Sequence, residues 1–372
     1  MKMNPLGRTG LTVSELCLGT MTFGTQTTEA VGHAQISRAL EAGINFVDTA
    51  EMYPVNPVAK ETIGRTEEII GTWNAANPGR RGEFILATKH SGEGLAAVRD
   101  GAPISAQTIP ATVEGSLRRL QTDYIDLYQF HWPNRGSYMF RKHWEYDPST
   151  QDRAATLAHM EEALEALQRQ VDKGNIRHFG LSNESAWGTA QWLRIADARG
   201  WPRVVTIQNE YSLLCRLADT DLAELMVYED VGLLPFSPLG AGFLTGKYKR
   251  DDTADTGRLS GANPFGDSKF TDRNWLVLDA LRDVASGLAC DPAQAALAWT
   301  MARPGVTSTI VGARTAVQLA SNIAAASIRL NDDQMNRLNE VSKPTDGFTS
   351  SLASPMIRKM VFGGHDVTGW GE

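Results

Sequence analysis

This 372-residue chain has few cysteines, no long apolar run and no excess of positive charge, and each shortage removes a class of protein. Its three cysteines, Cys17, Cys215 and Cys290, are odd in number and far apart, which fits a reducing compartment rather than a disulfide framework. No closely spaced Cys or His cluster suggests a structural metal. No run approaches the ~20 apolar residues of a membrane-spanning helix. The start, Met1-Lys2-Met3-Asn4-Pro5-Leu6-Gly7, lacks the apolar core of a signal peptide. The expected location is therefore cytoplasmic, with no membrane partner. A net charge of -7 argues against binding nucleic acid by charge, while leaving room for a local basic pocket that takes a small anion.

What is present points to a folded α/β protein. Hydrophobic residues make up 42% of the chain and charged residues 21%, enough for a full-sized core. Short apolar runs alternate with helical periodicity, the pattern of βα units on a parallel sheet. Strands are expected near 15–19, 44–48, 84–89, 125–130, 178–182, 204–208, 233–236 and 308–311. Between them, Ile109, Val113, Leu117 and Leu120 fit one helix face, as do Leu157, Met160, Leu164 and Leu167. Asp291-Pro292 supplies a capping side chain and a first-turn proline. Eight strands interleaved with helices favour a (β/α)8 TIM barrel over an open doubly wound sheet. The turn chemistry of Gly7-Arg8-Thr9-Gly10 predicts an N-terminal hairpin over 4–13 that plugs the barrel bottom. Long connections, 133–153 and 239–270, follow strand ends and so should overhang the opposite mouth; loops of that length are usually functional or mobile. The barrel domain is expected over 1–343. A tail, 344–372, carries Met356, Ile357, Met360, Val361 and Trp370 for docking on the barrel or on a second copy, so a homo-oligomer stays open.

Four chemistry-bearing residues fall at or just beyond strand ends. Asp48 closes Ile44-Asn45-Phe46-Val47, and Tyr53 lies five residues on. Lys89 closes Phe84-Ile85-Leu86-Ala87-Thr88, and His131 closes the run from Ile125 to Phe130. Strand C-terminal ends share one mouth in such a barrel, and the chemistry sits there. Taken singly, each has an ordinary explanation: a capping Asp, a core Tyr, a solvated Lys, a packed His. Gathered, an acid, a phenol, an amine and an imidazole form a proton-transfer site suited to reducing a carbonyl with a hydride donor.

The stretch Asn45-Phe46-Val47-Asp48-Thr49-Ala50-Glu51-Met52-Tyr53 resembles the aldo-keto reductase signature closely. Supporting motifs include Leu18-Gly19-Thr20-Met21, Gly180-Leu181-Ser182-Asn183, Ile207-Gln208-Asn209-Glu210-Tyr211 and Phe236-Ser237-Pro238-Leu239-Gly240. Ala50-Glu51-Met52-Tyr53-Pro54-Val55 and His131-Trp132-Pro133 look like the Tas-type bacterial NADP(H)-dependent members. The resemblance covers all but the long loops and the tail. It implies that Tyr53 is the general acid, Lys89 tunes it, Asp48 pairs the lysine, and His131 orients the carbonyl. The physical logic agrees. A tyrosine with pKa about 10 is poorly matched to neutral pH. An ammonium ~4 Å away at an effective dielectric near 20 contributes ~4 kcal/mol, about three pKa units toward the phenolate.

The cofactor implied is NADP(H). Gly240-Ala241-Gly242 lacks the third glycine of a Rossmann fingerprint, and Gly246-Lys247 is not a phosphate loop of the Walker kind; a barrel reductase needs neither. The resemblance assigns Ser182, Asn183 and Gln208 to the nicotinamide carboxamide and Phe236 to stacking on the ring. It assigns Ser237, Leu239, Gly242 and Leu244 to the pyrophosphate, and Gly312, Arg314, Gln318 and Asn322 to the adenosine 2′-phosphate. Gly312 replaces a Lys and Gln318 an Arg found in many members, so Arg314 must supply most of the charge. Met21, Phe23, Trp132, Tyr138, Phe140, Trp144 and Tyr146 are candidate walls for an aromatic or aliphatic carbonyl substrate, or else packing for the long loop. One rival is a cofactor-binding sensor with slow or vestigial turnover. Another is a metal-dependent barrel hydrolase, disfavoured by the lack of a His-x-His pair and of paired carboxylates at strand ends.

Overall fold

The computed structural model describes residues 1–55, 57–139, 143–250, 259, 269–344 and 355–365. Two antiparallel strands, β1 (Met3–Pro5) and β2 (Thr12–Ser14), form the expected hairpin. Eight parallel strands follow: β3 (Leu16–Gly19), β4 (Phe46–Asp48), β5 (Ile85–His90), β6 (Ile125–Phe130), β7 (Ile176–Ser182), β8 (Val204–Gln208), β9 (Gly232–Leu233) and β10 (Thr309–Val311). They lie in the order β10-β3-β4-β5-β6-β7-β8-β9. The two edges then meet. Leu233 N–H donates to Gly305 at 2.9 Å, Thr307 N–H to Leu233 at 2.8 Å, and Ile310 N–H to Pro235 at 3.0 Å. The sheet therefore closes on itself as a (β/α)8 barrel and leaves no edge unpaired.

Helices α1 (Glu29–Glu41), α2 (Arg65–Ala76), α3 (Thr108–Leu120), α4 (Arg153–Asp172), α5 (Ala186–Arg199) and α6 (Asp221–Glu229) fall between successive strands. Helices α7 (Asp272–Gly287) and α8 (Pro292–Met301) precede β10, and α9 (Ala316–Ala324) and α10 (Asp332–Ser342) follow it. Their starts carry the expected chemistry. Asp152 caps α4 by accepting from the Ala154 and Ala155 N–H groups, and Asp291 and Gln294 form a reciprocal capping box on α8. Ile109, Val113 and Leu120 are buried on α3, as are Met160, Leu164 and Leu167 on α4; Leu117 and Leu157 sit half-buried beside them. Among the described residues, no helix is long and apolar enough to cross a membrane. In the tail, Pro355–Val361 forms a further helix, α11, with Met360 and Val361 exposed.

Two strands come out two residues shorter than expected. The strand expected at 233–236 shortens to Gly232–Leu233, because Pro235 has no N–H for the ladder. Phe236 keeps only an isolated bridge to Glu210. The strand expected from 44 starts at Phe46, because Asn45 turns its amide to the hairpin: its side chain accepts from Ser14 N–H at 2.8 Å and donates to Thr12 at 3.0 Å.

That hairpin closes the barrel floor. Leu6 and Val13 are fully buried with Cys17, Phe46, Ala87, Leu127, Val205 and Leu234, one cluster drawn from six barrel strands or their ends. Gly7, at φ +53°, passes so close that a Cβ there would lie 2.7 Å from the Val205 carbonyl. Leu6→Ala should therefore cost about 2–5 kcal/mol, because the cavity it leaves is ringed by the barrel wall. Urea unfolding measures this, and a loss under about 1 kcal/mol would show that the hairpin is not integral to the core.

Candidate active site

Parallel register sets the site layer by layer. Gly19 lies beside Asp48, Asp48 beside Ala87, Lys89 beside Gln129, Gln129 beside Gly180, and Ser182 beside Gln208. The polar ends of β4 to β8 thus converge at the mouth. Glycine at 180 is what admits the neighbouring side chains, since a Cβ there would sit 2.3 Å from Thr206 Oγ1 and 3.3 Å from Gln129 Cγ.

Asp48 and Lys89 form the centre. Lys89 Nζ donates to Asp48 Oδ2 at 2.5 Å and to the Thr49 carbonyl at 2.8 Å, with the lysine side chain fully buried. The other carboxylate oxygen, Oδ1, accepts from Gln208 Nε2 at 2.9 Å and Gln129 Nε2 at 3.1 Å. Burial by itself pushes the Lys89 ammonium down. The attraction of Asp48, then of Tyr53, more than offsets it, and the lysine holds its proton more tightly than usual.

Tyr53 and His131 flank this pair. Lys89 Nζ lies 5.1 Å from the centroid of the Tyr53 ring, and the Tyr53 and His131 rings meet edge to face at 5.7 Å. Burial, and then the nearby Lys89 charge, hold the His131 imidazolium well below its ordinary range, so the ring is neutral near pH 7. Its Nδ1 is buried without a hydrogen-bond partner. Met21, Ala50, Met52, Val98 and Trp132 surround Tyr53 with apolar surface. The structure therefore brings Asp48, Tyr53, Lys89 and His131 together.

The residues expected to hold a cofactor divide into groups. Asn183, held at φ +55°, donates from Nδ2 to the His131 carbonyl at 2.9 Å and to Ser182 Oγ at 3.1 Å. Its Oδ1 is buried and unpartnered, an acceptor suited to an amide N–H arriving from the mouth. Ser182 Oγ donates to the Gln208 carbonyl at 2.8 Å. Gln208 spends its amide nitrogen on Asp48 and, at 3.2 Å, on Gln129, so its oxygen is what it has to offer a ligand. Phe236 and Leu239 are half-buried, while Leu244 is buried in the core. Ser237, Ala241 and Gly242 have φ of 52°, 57° and 96°, a turn conformation of the kind found at anion sites, but the Gly242 and Leu244 N–H groups already donate to the Leu239 carbonyl at 3.0 and 3.1 Å. Lys247 Nζ lies 3.4 Å from where a Cβ on Gly242 would be.

At the last strand, Thr315 caps α9 by accepting from Gln318 N–H, and Arg314 is exposed beside that helix start. Gln318 Oε1 accepts from Arg314 N–H at 2.8 Å. Asn322 is buried and ties the loop down through Gly312 at 3.2 Å, a structural contact more than a ligand contact. Of the candidate substrate walls, Met21 and Trp132 line the Tyr53 cluster. Phe23 does not: it is fully buried in the main core against Gly32. Trp144 is 94% exposed, Tyr138 packs on Tyr146 at 6.3 Å, and Phe140 lies outside the described residues.

Three groups escaped sequence reasoning. Gln129 holds Asp48, yet a glutamine inside an apolar strand carries no motif signal. Lys247 gains meaning only from its closeness to Gly242. The third is the Glu51 carboxylate, which is paired with Arg99 and accepts from Ser91 N–H at 2.6 Å, fixing the loop that carries Tyr53 to the end of β5. Its signal was the acidic residue two before Tyr53. A cavity of about 410 Å³ between β6–β7 and helices α4–α5 is lined by Phe130, Met160, Leu181 and Trp192. Asp48, Tyr53, Lys89 and His131 do not line it, although Ser182 does.

The comparisons with known proteins identify the family. The model of the Aldo/keto reductase family matches residues 15–343. Protein tas of Escherichia coli (strain K12) is 41% identical over 353 residues, covering 92% of this chain and 97% of that protein. The oxidoreductase YrpG of Bacillus subtilis (strain 168) is 34% identical over 353 residues, covering 94% and 98%. The norsolorinic acid reductase stcV of Emericella nidulans is 28% identical over 358 residues, covering 93% and 82%. With its barrel closed around a buried carboxylate–ammonium pair and a family match across most of its length, this chain belongs to the aldo/keto reductase family of oxidoreductases.

Proposed function

We propose that this protein reduces aldehyde or ketone carbonyls with NADPH, with Tyr53 as the general acid. The observation that carries the reading is the buried Lys89 ammonium, fixed on Asp48 at 2.5 Å and 5.1 Å from the Tyr53 ring centroid. A cation so placed favours the phenolate and eases release of the phenolic proton. NADPH, when bound, supplies the hydride to the carbonyl carbon. The chain's own residues do the rest. Tyr53 gives its proton to the carbonyl oxygen. Neutral His131 donates a hydrogen bond to that oxygen and adds no second positive charge beside Lys89. Asp48 keeps Lys89 charged, and Gln129 with Gln208 keeps Asp48 aimed at it. Met21, Trp132 and the apolar surface around Tyr53 exclude water from an aromatic or aliphatic substrate.

Asn183, Ser182 and Gln208 are suited to holding the nicotinamide carboxamide, with the unpartnered Asn183 Oδ1 as the acceptor. Phe236 offers its ring for stacking. The turns of Ser237 and Gly242, with Lys247, suit the pyrophosphate, and Arg314 at the α9 start suits the 2′-phosphate.

Tyr53→Phe should bind NADPH with unchanged affinity in a fluorescence titration and lose roughly 10²–10⁴ in kcat. Retained turnover would remove its role as the acid. Arg314→Ala should raise KM for NADPH roughly tenfold, the loss of one charge-assisted hydrogen bond, and leave KM for NADH nearly unchanged. Equal effects on both cofactors would remove Arg314 from phosphate binding.

A further inference from the structure

A second cluster of chemically capable side chains sits on the rim of the mouth, outside the proton-transfer site. His143, Glu210 and Cys215 each present a donor atom, and these atoms lie within 4.8 Å of one another. Two loops deliver them. Glu210 follows β8 by two residues and is pinned by its bridge to Phe236. Cys215 is brought back toward Glu210 by a tight turn, in which Ser212 N–H donates to Cys215 at 3.0 Å and Cys215 N–H donates to Ser212 at 3.1 Å. The Cys215 thiol points to the Glu210 carbonyl at 3.7 Å. His143 comes from the long connection between β6 and α4.

We infer that His143, Glu210 and Cys215 form a binding site for a zinc-class divalent cation, which ties the β6–α4 connection to the rim after β8. Sulfur, imidazole nitrogen and a single carboxylate are the mixed donor set that zinc takes, whereas magnesium and calcium prefer oxygen alone. Zinc bonds of ~2.0–2.3 Å put two ligands of one tetrahedral ion ~3.3–3.8 Å apart. Closing the present span needs a movement of about 1 Å, and three protein donors leave the fourth position to water.

The electrostatics of the site set its conditions. In the structure Lys269 Nζ donates to Glu210 Oε1 at 3.1 Å, so a cation and Lys269 compete for the same carboxylate. Cys215 is a neutral thiol: burial first, then the Glu210 charge, push it up to about 12, against the weaker pull of the Leu217 backbone and then of Lys269 and Arg273. Burial holds the His143 imidazole below its ordinary value, which keeps it neutral and able to ligate. Binding therefore forms a metal–sulfur bond and releases the thiol proton to solvent, and affinity rises with pH. This inference stands whether or not the carbonyl-reductase reading holds.

The test uses the full-length protein, freed of metal by chelator dialysis and titrated with Co2+ as an optical probe, then with Zn2+ in competition. One equivalent should bind with a thiolate-to-cobalt charge-transfer band. Cys215→Ser should abolish the band, and His143→Ala should weaken Zn2+ binding ~10-fold or more. Lys269→Met should strengthen it about tenfold by removing the competing charge, a change that adventitious binding elsewhere would not show. No band and no Zn2+ uptake by the wild-type protein would overturn the proposal without any variant. A band that persists in Cys215→Ser, or affinity unchanged by both His143→Ala and Lys269→Met, would overturn it too.

Discussion

A lysine ammonium buried completely in a protein core survives as a cation only if a carboxylate lies against it, and Lys89 has Asp48 at 2.5 Å. The pair is costly to place and costly to break. Desolvating two ions takes several kcal/mol each, and removing one partner leaves a lone buried charge worth about 3–5 kcal/mol of instability. The surrounding structure meets that demand with hydrogen bonds: Thr49 on the lysine, Gln129 and Gln208 on the carboxylate. The result is a fixed positive charge, shielded from water, beside the Tyr53 ring.

The barrel is what makes that arrangement possible. Parallel strands end on one face, so residues far apart in sequence meet at the same level. Closure through the Leu233 and Ile310 backbone bonds leaves no edge for the layers to slip along. The hairpin fills the floor with Leu6 and Val13, which keeps the interior below Asp48 apolar. That low-polarity floor strengthens the Asp48–Lys89 attraction, while its own burial and the Lys89 charge keep the neighbouring His131 imidazole neutral. Packing, fold closure and proton chemistry are thus parts of one electrostatic design.

Much of this was legible from residue order. Apolar runs ending in Asp48, Lys89 and His131 give both the strands and the shared mouth, because strand polarity in a βα repeat is fixed. Asp291-Pro292 announces its helix through local capping chemistry alone. Less legible were features that depend on tertiary neighbours. Pro235 shortened a strand that hydropathy alone extends. Phe23 follows a strand end as a mouth residue would, but Gly32 on α1 opens a slot that takes its ring into the core. Gln208 has the position of a cofactor contact, yet its amide nitrogen serves Asp48, which no local pattern records. Gln129 and Lys247 became visible only when Gly180 and Gly242 showed how closely the chain approaches them.

The most direct measurement is the pH dependence of kcat/KM for NADPH-driven carbonyl reduction by the wild type and by Asp48→Asn/Lys89→Met, which removes both charges and leaves no lone ion in the core. In the wild type, the group that must be protonated should titrate below the ~10 of a free tyrosine. In the double variant that value should climb back toward ~10 while the maximal rate falls. A profile with the same midpoint in both proteins would contradict the claim that the Asp48–Lys89 pair governs the Tyr53 proton.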